Sequence, residues 1–393
     1  MTNGVMTNDV MTDDELFGLT NLPYGVYSVD GTEPRVGTRL GNQVIDLSTL
    51  LDEEVFDGPS LNPFMAEGRE RWDDVRARMI EALADGIPHR GAYPLEDVTL
   101  HLPFEVADYV DFYASEHHAS NLGRLFRTDN PDPLMPNWRH LPVSYTGRAG
   151  SVVVSGTEIV RPCGQWLPNG ESSPAYGPSQ RLDIEAELGF VVGVGNAMGT
   201  PIDAADAADH IFGVVLFNDW SARDIQAWEY APLGPHLGKS FASTVSPWVV
   251  PLAALDAARV ATPKQKPAPI AYLDLPKPWG LDIALEVEWN GKVISRPPYA
   301  STYWSPAQML AHLTANGAPT RTGDLFASGT VSGPSPDDVG SLIERGQGFL
   351  EDGDEIGLRA TAPGADGTRI GFGEARGRIS PSRTTPRRKA DHR

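Results

Sequence analysis

The run Leu182-Asp183-Ile184-Glu185-Ala186-Glu187-Leu188 alternates apolar and acidic residues. In an extended chain, alternate side chains point the same way. Leu182, Ile184, Ala186 and Leu188 then share one face, and Asp183, Glu185 and Glu187 share the other. This period predicts a strand, running on to Val194. Carboxylates this close repel each other, and burial makes each one costlier. Either water covers the acidic face or a cation sits among the acids. Alternation alone does not decide. Leu281-Asp282-Ile283-Ala284-Leu285-Glu286-Val287-Glu288-Trp289 alternates in much the same way and runs into Asn290-Gly291, a two-residue hairpin signal. That second strand is expected to have a wet face and solvated acids.

Working outward, 393 residues can bury a large core and hold two domains. A net charge of −20 argues against nucleic acid and anionic membrane surfaces as partners. An anionic substrate must then be met by a local group of cations. The single cysteine, Cys163, allows no intrachain disulfide and no thiolate zinc site, which fits a reducing cytoplasm. Residues 1–16 read as a floppy acidic leader without the pattern of a signal peptide. No apolar run reaches the ~18 residues a spanning helix needs. Residues 381–393, with Arg383, Arg387, Arg388 and Lys389, read as a basic, disordered tail.

Short strands and turns fill the stretch from Leu19 to Leu50. A helix is expected over 63–85, with Trp72, Val75, Met79 and Leu83 on its buried face and Gly86 as its stop. A domain boundary falls near residue 100. Strands then dominate, at 151–155, 182–194, 214–218, 281–289 and 354–360. Helices are expected over 204–211 and after Ser221, with Ser221 and Asp224 at capping-box spacing. Many short strands, 34 prolines and 40 glycines point to a mainly β (α+β) chain, a sandwich or roll and not a doubly wound sheet.

Three signatures fail. The glycines of Gly193 to Gly199 have one residue too many for a dinucleotide fingerprint, and Gly234 to Ser240 has one too few for a phosphate loop. No Gly-x-Ser-x-Gly elbow is present. What survives is a set of oxygen donors. Asp219 ends a strand ahead of a helix, and Asp111 lies in the apolar setting Tyr109-Val110-Asp111-Phe112-Tyr113. With Glu185 and Glu187 they suit Ca²⁺, Mg²⁺ or Mn²⁺ better than zinc. His117, His118, Arg127 and Lys239 lie nearby in sequence, fit to bind an anion or move a proton. Position does not separate His117 from His118.

These residues resemble the fumarylacetoacetase (fumarylacetoacetate hydrolase) family over most of the chain. The resemblance is carried by Asn21-Leu22-Pro23-Tyr24-Gly25-Val26, Asp111 to His118, Met135-Pro136-Asn137-Trp138 and Arg148 to Gly156. It is carried further by Asn218 to Lys239, Ala327-Ser328-Gly329-Thr330 and Arg369 to Gly373. The block from Asn218 to Lys239 separates this branch from shorter relatives that act on acylpyruvates or decarboxylate keto acids.

The resemblance implies a small SH3-like barrel domain over 17–102 and a mixed β-sandwich roll, the catalytic domain, over 103–380. It implies a cytoplasmic homodimer that hydrolyses 4-fumarylacetoacetate to fumarate and acetoacetate, the last step of tyrosine and phenylalanine breakdown. Asp111, Glu185, Glu187 and Asp219 match the metal ligands, with Ca²⁺, Mg²⁺ or both as the ion and Mn²⁺ a further candidate. His118 matches the catalytic base, and Glu344 the acid that orients it. Arg127, Gln226 and Lys239 match the groups that bind substrate and stabilise the oxyanion. Tyr113, Tyr230 and Thr330 match other substrate contacts. Ser243 keeps the hydroxyl of a second, Mg²⁺-like site, although Ala242 stands where the family more often has Gly. The segment between Glu344 and Asp352 is shorter than in animal members. The rival readings are a related hydrolase or decarboxylase of another diketo acid, and a non-catalytic metal-binding paralogue.

Overall fold

Ile211–Asp219 is buried along its whole length, the mark of a strand covered on both faces. It pairs antiparallel with Ala186–Val192, also buried throughout, and the two form the middle of the fold. The computed structural model describes residues 12–127 and 129–383. Residues 1–11 of the expected leader and 384–393 of the expected tail lie outside the described residues. Within the stretch read as leader, Asp13–Leu16 form a helical turn.

From the central pair the sheet extends both ways. Leu325–Ala327 pairs with Ala186–Val192, and Tyr109–Phe112 then adds in parallel, followed by Ser144–Thr146. On the other side Trp248–Pro251 joins Ile211–Asp219 to Tyr24–Val29. Tyr24–Val29 leads into the meander of Arg35–Leu40, Gln43–Asp46 and Ala92–Pro94. The first hundred residues therefore share one 13-stranded sheet with the rest of the chain.

A second sheet of five strands carries Ala284–Trp289, Glu355–Pro363 and Arg369–Ser380. It packs against the first, as the sandwich reading requires. Close approach is made by glycine: a Cβ on Gly377 would stand 2.6 Å from the Trp220 ring. The Asn290-Gly291 hairpin forms as read, both residues having positive φ (49° and 76°).

The amphipathic helix buries Trp72, Val75, Met79 and Leu83 as its spacing predicts. It starts at Arg69 and not at 63, because Gly68 (φ 92°) breaks it from a separate Asn62–Met65 turn. The helix expected over 204–211 shrinks to Ala207–His210, since Ile211 already begins the buried strand. Ser221 caps nothing: its hydroxyl donates to the Asp219 carbonyl, and Ala222 precedes the Arg223–Glu229 helix. Asp224 instead accepts from Ser179 Oγ and Gln180 N.

The deciding stretch is also not one strand. Leu182–Asp183 pairs with Ser221–Ala222, and the ladder resumes only at Ala186. Ile184 and Glu185 fall in the break. Glu185 is held there by its own backbone, which accepts from Asp219 N and donates to Asn218 Oδ1.

Candidate active site

Four acids from separate stretches converge. Asp219 ends the central strand, Glu187 stands opposite Phe217 in its partner, and Asp111 stands opposite Ala327 two strands further on. Glu185 reaches in from the break. Ligand oxygens of Asp111, Glu185, Glu187 and Asp219 lie within 4.8 Å of one another, and all four residues are buried. Water does not cover this face.

Their partners are unequal. Lys239 Nζ donates to Asp219 Oδ2 at 2.8 Å and also to Glu185. Arg223 Nη1 meets Glu185 Oε1 at 2.7 Å. Tyr145 Oη and Ser243 Oγ each donate to Asp219 at 2.8 Å. Both carboxylate oxygens of Glu187 and Oδ1 of Asp111 are buried with no hydrogen-bond partner among the described residues.

The electrostatics follow. Burial, then the neighbouring carboxylates, pushes Glu187 and Asp111 well above the usual carboxylate range. Burial also raises Asp219, although Lys239 opposes it. Burial would raise Glu185 too, but Lys239, Arg223 and His118 outweigh it and hold that carboxyl low. Lys239 stays charged, because Asp219 and Glu185 overcome its desolvation. Unpartnered carboxylate oxygens in this number call for protons or for a hard cation. A divalent ion with oxygen preference fits the donor set.

Beside the acids stands a histidine–carboxylate pair. Ser115 caps the Glu116–Phe126 helix, accepting from His118 N, and so fixes the first turn. His118 is buried, and its Nδ1 lies 2.7 Å from Glu344 Oε2. Glu344 also accepts from Asn121, Ser332 and Ser341. Burial alone would raise its pKa, but His118 and these donors hold it at about 2. An ionised carboxylate only accepts, which assigns the proton to Nδ1 and leaves Nε2 as the basic atom. His117 is partly exposed, and its imidazole makes no hydrogen bond among the described residues.

The remaining expected contacts have varied surroundings. Tyr113 packs edge-on to the His118 ring, with centroids 5.3 Å apart. Gln226 accepts from Arg223 Nη1 at 3.2 Å. Arg127 donates to the Pro133 carbonyl and keeps a buried, unpartnered Nε, and Thr330 Oγ1 is likewise buried and unpartnered. Tyr230 is mostly exposed, at the end of the Arg223–Glu229 helix. A cavity of about 370 Å³ opens onto Asp219 and Lys239, with Tyr145, Arg148 and His236 also in its wall.

Asp183 departs from the expectation of three acids on one face. Its carboxylate accepts from Arg223 Nε at 2.8 Å, from Ile184 N and Leu342 N at 2.7 Å, and from Ile343 N at 3.1 Å. It therefore sits outside the acid cluster. It joins Arg223, which holds Glu185, to the helical turn Leu342–Arg345, which carries Glu344. Asp183, Arg223 and Tyr145 are site residues that reading the sequence missed. A local hint was present for Arg223, an arginine between Ala222 and Ile225 in an otherwise buried turn.

Comparison with known proteins gives the family. Residues 108–380 match the family model described as fumarylacetoacetate (FAA) hydrolase C-terminal, and residues 20–103 match fumarylacetoacetase N-terminal. The chain is 44% identical to the fumarylacetoacetase of Homo sapiens, over 95% of this chain and 98% of that one. It is 43% identical to that of Arabidopsis thaliana, over 94% and 97%. Among solved structures it resembles a fumarylacetoacetate hydrolase from Exiguobacterium antarcticum (TM-score 0.58, 18% identity, covering 92% of this chain and 99% of that one). It also resembles a maleylpyruvate hydrolase from Sphingobium sp. SYK-6 solved with manganese(II) and pyruvate (TM-score 0.55, 16% identity, 92% and 100%). At these identities the two structures speak for the fold alone.

Proposed function

The chain belongs to the fumarylacetoacetate hydrolase family, and from that premise we propose how its residues carry out the hydrolysis of 4-fumarylacetoacetate to fumarate and acetoacetate. The observation that carries the reading is the buried carboxylate cluster beside the His118–Glu344 pair. A structural metal site needs the acids but not a basic histidine with an ionised partner.

Asp111, Glu185, Glu187 and Asp219 would hold the metal, with Ca²⁺ or Mg²⁺ as the ion and Ser243 beside Asp219 as a neighbouring oxygen donor. When bound, a divalent cation supplies a Lewis-acid sink for a 1,3-dicarbonyl. The protein's own groups do the rest. His118 Nε2 takes a proton from water, and Glu344 fixes the tautomer and stabilises the imidazolium. Water oxygen adds to the fumaryl carbonyl carbon. The C–C bond then breaks, its electron pair passes into the enolate of acetoacetate, and a proton completes that product. Lys239, Arg127 and Gln226 bind the substrate's carboxylates and the developing oxyanion. Tyr113, Tyr230 and Thr330 line the substrate.

The reading includes a homodimer acting in the cytoplasm, in the last step of tyrosine and phenylalanine breakdown. No helix among the described residues is long and apolar enough to cross a membrane. Light scattering on the purified chain tests the dimer. Turnover of 4-fumarylacetoacetate against a panel of acylpyruvates and other diketo acids tests the substrate. A preference for an acylpyruvate, or decarboxylation without hydrolysis, rejects this reading.

A further inference from the structure

A crevice away from the acid cluster holds polar groups that the fold leaves unsatisfied. It lies between the Arg69–Leu83 helix and the strands Ile211–Asp219 and Trp248–Pro251, and encloses about 130 Å³. Phe212 forms its apolar floor, with the Tyr24 and Trp72 rings each 5.3 Å from it. Tyr24 is 1% exposed, and its Oη has no hydrogen-bond partner among the described residues. Arg259 lies over Trp279, and its Nε donates to Asp256, yet its Nη1 is buried and unpartnered.

Arg76 adds a guanidinium that meets the backbone carbonyls of Asn21 (2.7 Å) and Thr20 (2.5 Å) and forms no ion pair among the described residues. Its burial lowers its pKa, as expected for a cation short of negative charge. Arg69 also lines the crevice, paired with Asp209 and near Asp73. Arg69 is thus matched by Asp209 and Asp73, and Arg259 by Asp256, which leaves Arg76 as the lining arginine without an ion pair among the described residues.

Buried donors without acceptors are costly, and those beside a cation more so. Water brings hydrogens of its own to a place short of acceptors. An oxyanion brings acceptors and negative charge together. The space equals roughly four waters, room for a carboxylate or phosphate group and far below a drug-sized pocket.

We propose that this crevice is a binding site for a small oxyanion, a carboxylate or a phosphate, held by Tyr24 Oη, Arg76 and Arg259 Nη1. Tyr24 and Arg76 come from the first hundred residues and Arg259 from the rest, so the anion ties the two together.

Calorimetric titration of the full-length, metal-loaded chain with inorganic phosphate, and separately with acetate, tests this at fixed ionic strength. Supporting results are saturable binding that Tyr24→Phe and Arg259→Gln each weaken by about tenfold or more, roughly one charged hydrogen bond. Arg127→Gln leaves such binding unchanged. The tighter anion names the class. Tyr24→Phe removes only a hydroxyl, so without added anion its melting temperature stays at or above that of the parent. Three outcomes overturn the proposal: no saturable binding of either anion, binding that Tyr24→Phe leaves intact, or binding abolished by Arg127→Gln, which places the anion in the catalytic pocket.

Discussion

Glu187 and Glu288 stand in two strands that read alike, and their surroundings differ in kind. Glu288 meets Arg376 at 3.1 Å and Arg359 at 3.9 Å. Arg376 also meets Glu355 and Glu374 across the second sheet. Asp282 on the run that carries Glu288 is exposed, as a wet face requires, while Glu286 and Glu288 are in addition paired with arginines. Among the described residues Glu187 has no cation partner and no hydrogen bond on either carboxylate oxygen. The difference teaches that acidic alternation points to a site where the fold buries an acid such as Glu187 and leaves its oxygens without water or a cation of their own.

The sharpest way to break this comparison is Glu187→Gln. With metal, turnover should fall about 10³-fold or more, the loss of several kcal/mol of charge stabilisation. In chelator the same variant should melt higher than the parent, because an orphaned acid is gone. Glu288→Gln should do neither. A chelated Glu187→Gln protein that melts below its parent would erase the contrast. Next comes His118→Ala, expected to cost about 10²–10⁴ in kcat while metal still binds. His117→Ala should stay close to the parent, and a dead His117 variant with an active His118 variant would reverse the assignment.

Asp183→Asn sharpens the comparison from a third acid, one that is neither solvated nor in the cluster. Losing one member of its buried pair with Arg223 should destabilise by about 3–5 kcal/mol in chemical unfolding. Titration gives a further contrast. Asp111, Glu187 and Asp219 have raised folded pKa values, so without metal the native state holds protons that the unfolded chain has released. Chelated protein should therefore lose stability as pH rises above about 4, where the unfolded carboxyls ionise, through the raised folded pKa values. Metal should remove that slope. Glu344, held at about 2, acts oppositely: its contribution is present above about 4.3 and is lost as pH falls toward 2. The smallest effect is expected from Arg376→Ala, no more than about 1 kcal/mol and no change in turnover, since its network is partly exposed.

What sequence could reveal was set by distance along the chain. Helical spacing placed Trp72 to Leu83, whereas period-two spacing grouped Asp183 with Glu185 and Glu187, of which only the last two reach one centre, Glu185 from a break in the strand. Asn290-Gly291 announced its own turn. Asp183 was illegible because its partners lie far away, at Arg223 and at the backbone of Leu342 and Ile343. Local signals also lost to remote competitors, as when Ser179 and Gln180 took the Asp224 carboxylate from its expected cap. Pairing of His118 with Glu344, 226 residues apart, came from family resemblance, since no spacing rule reaches that far.

After Glu344 the polypeptide leaves the Leu342–Arg345 turn through Gly346, whose left-handed conformation ends it, and is caught again where Leu350 N meets the Leu182 carbonyl. Between those two fastenings lie Gln347 and Gly348, both exposed, and the half-buried Phe349, whose ring lies under Arg181. Extra length inserted there would loop outward from both anchors. Lineages can thus lengthen or trim this bridge while the carboxylate behind it keeps its grip on the imidazole.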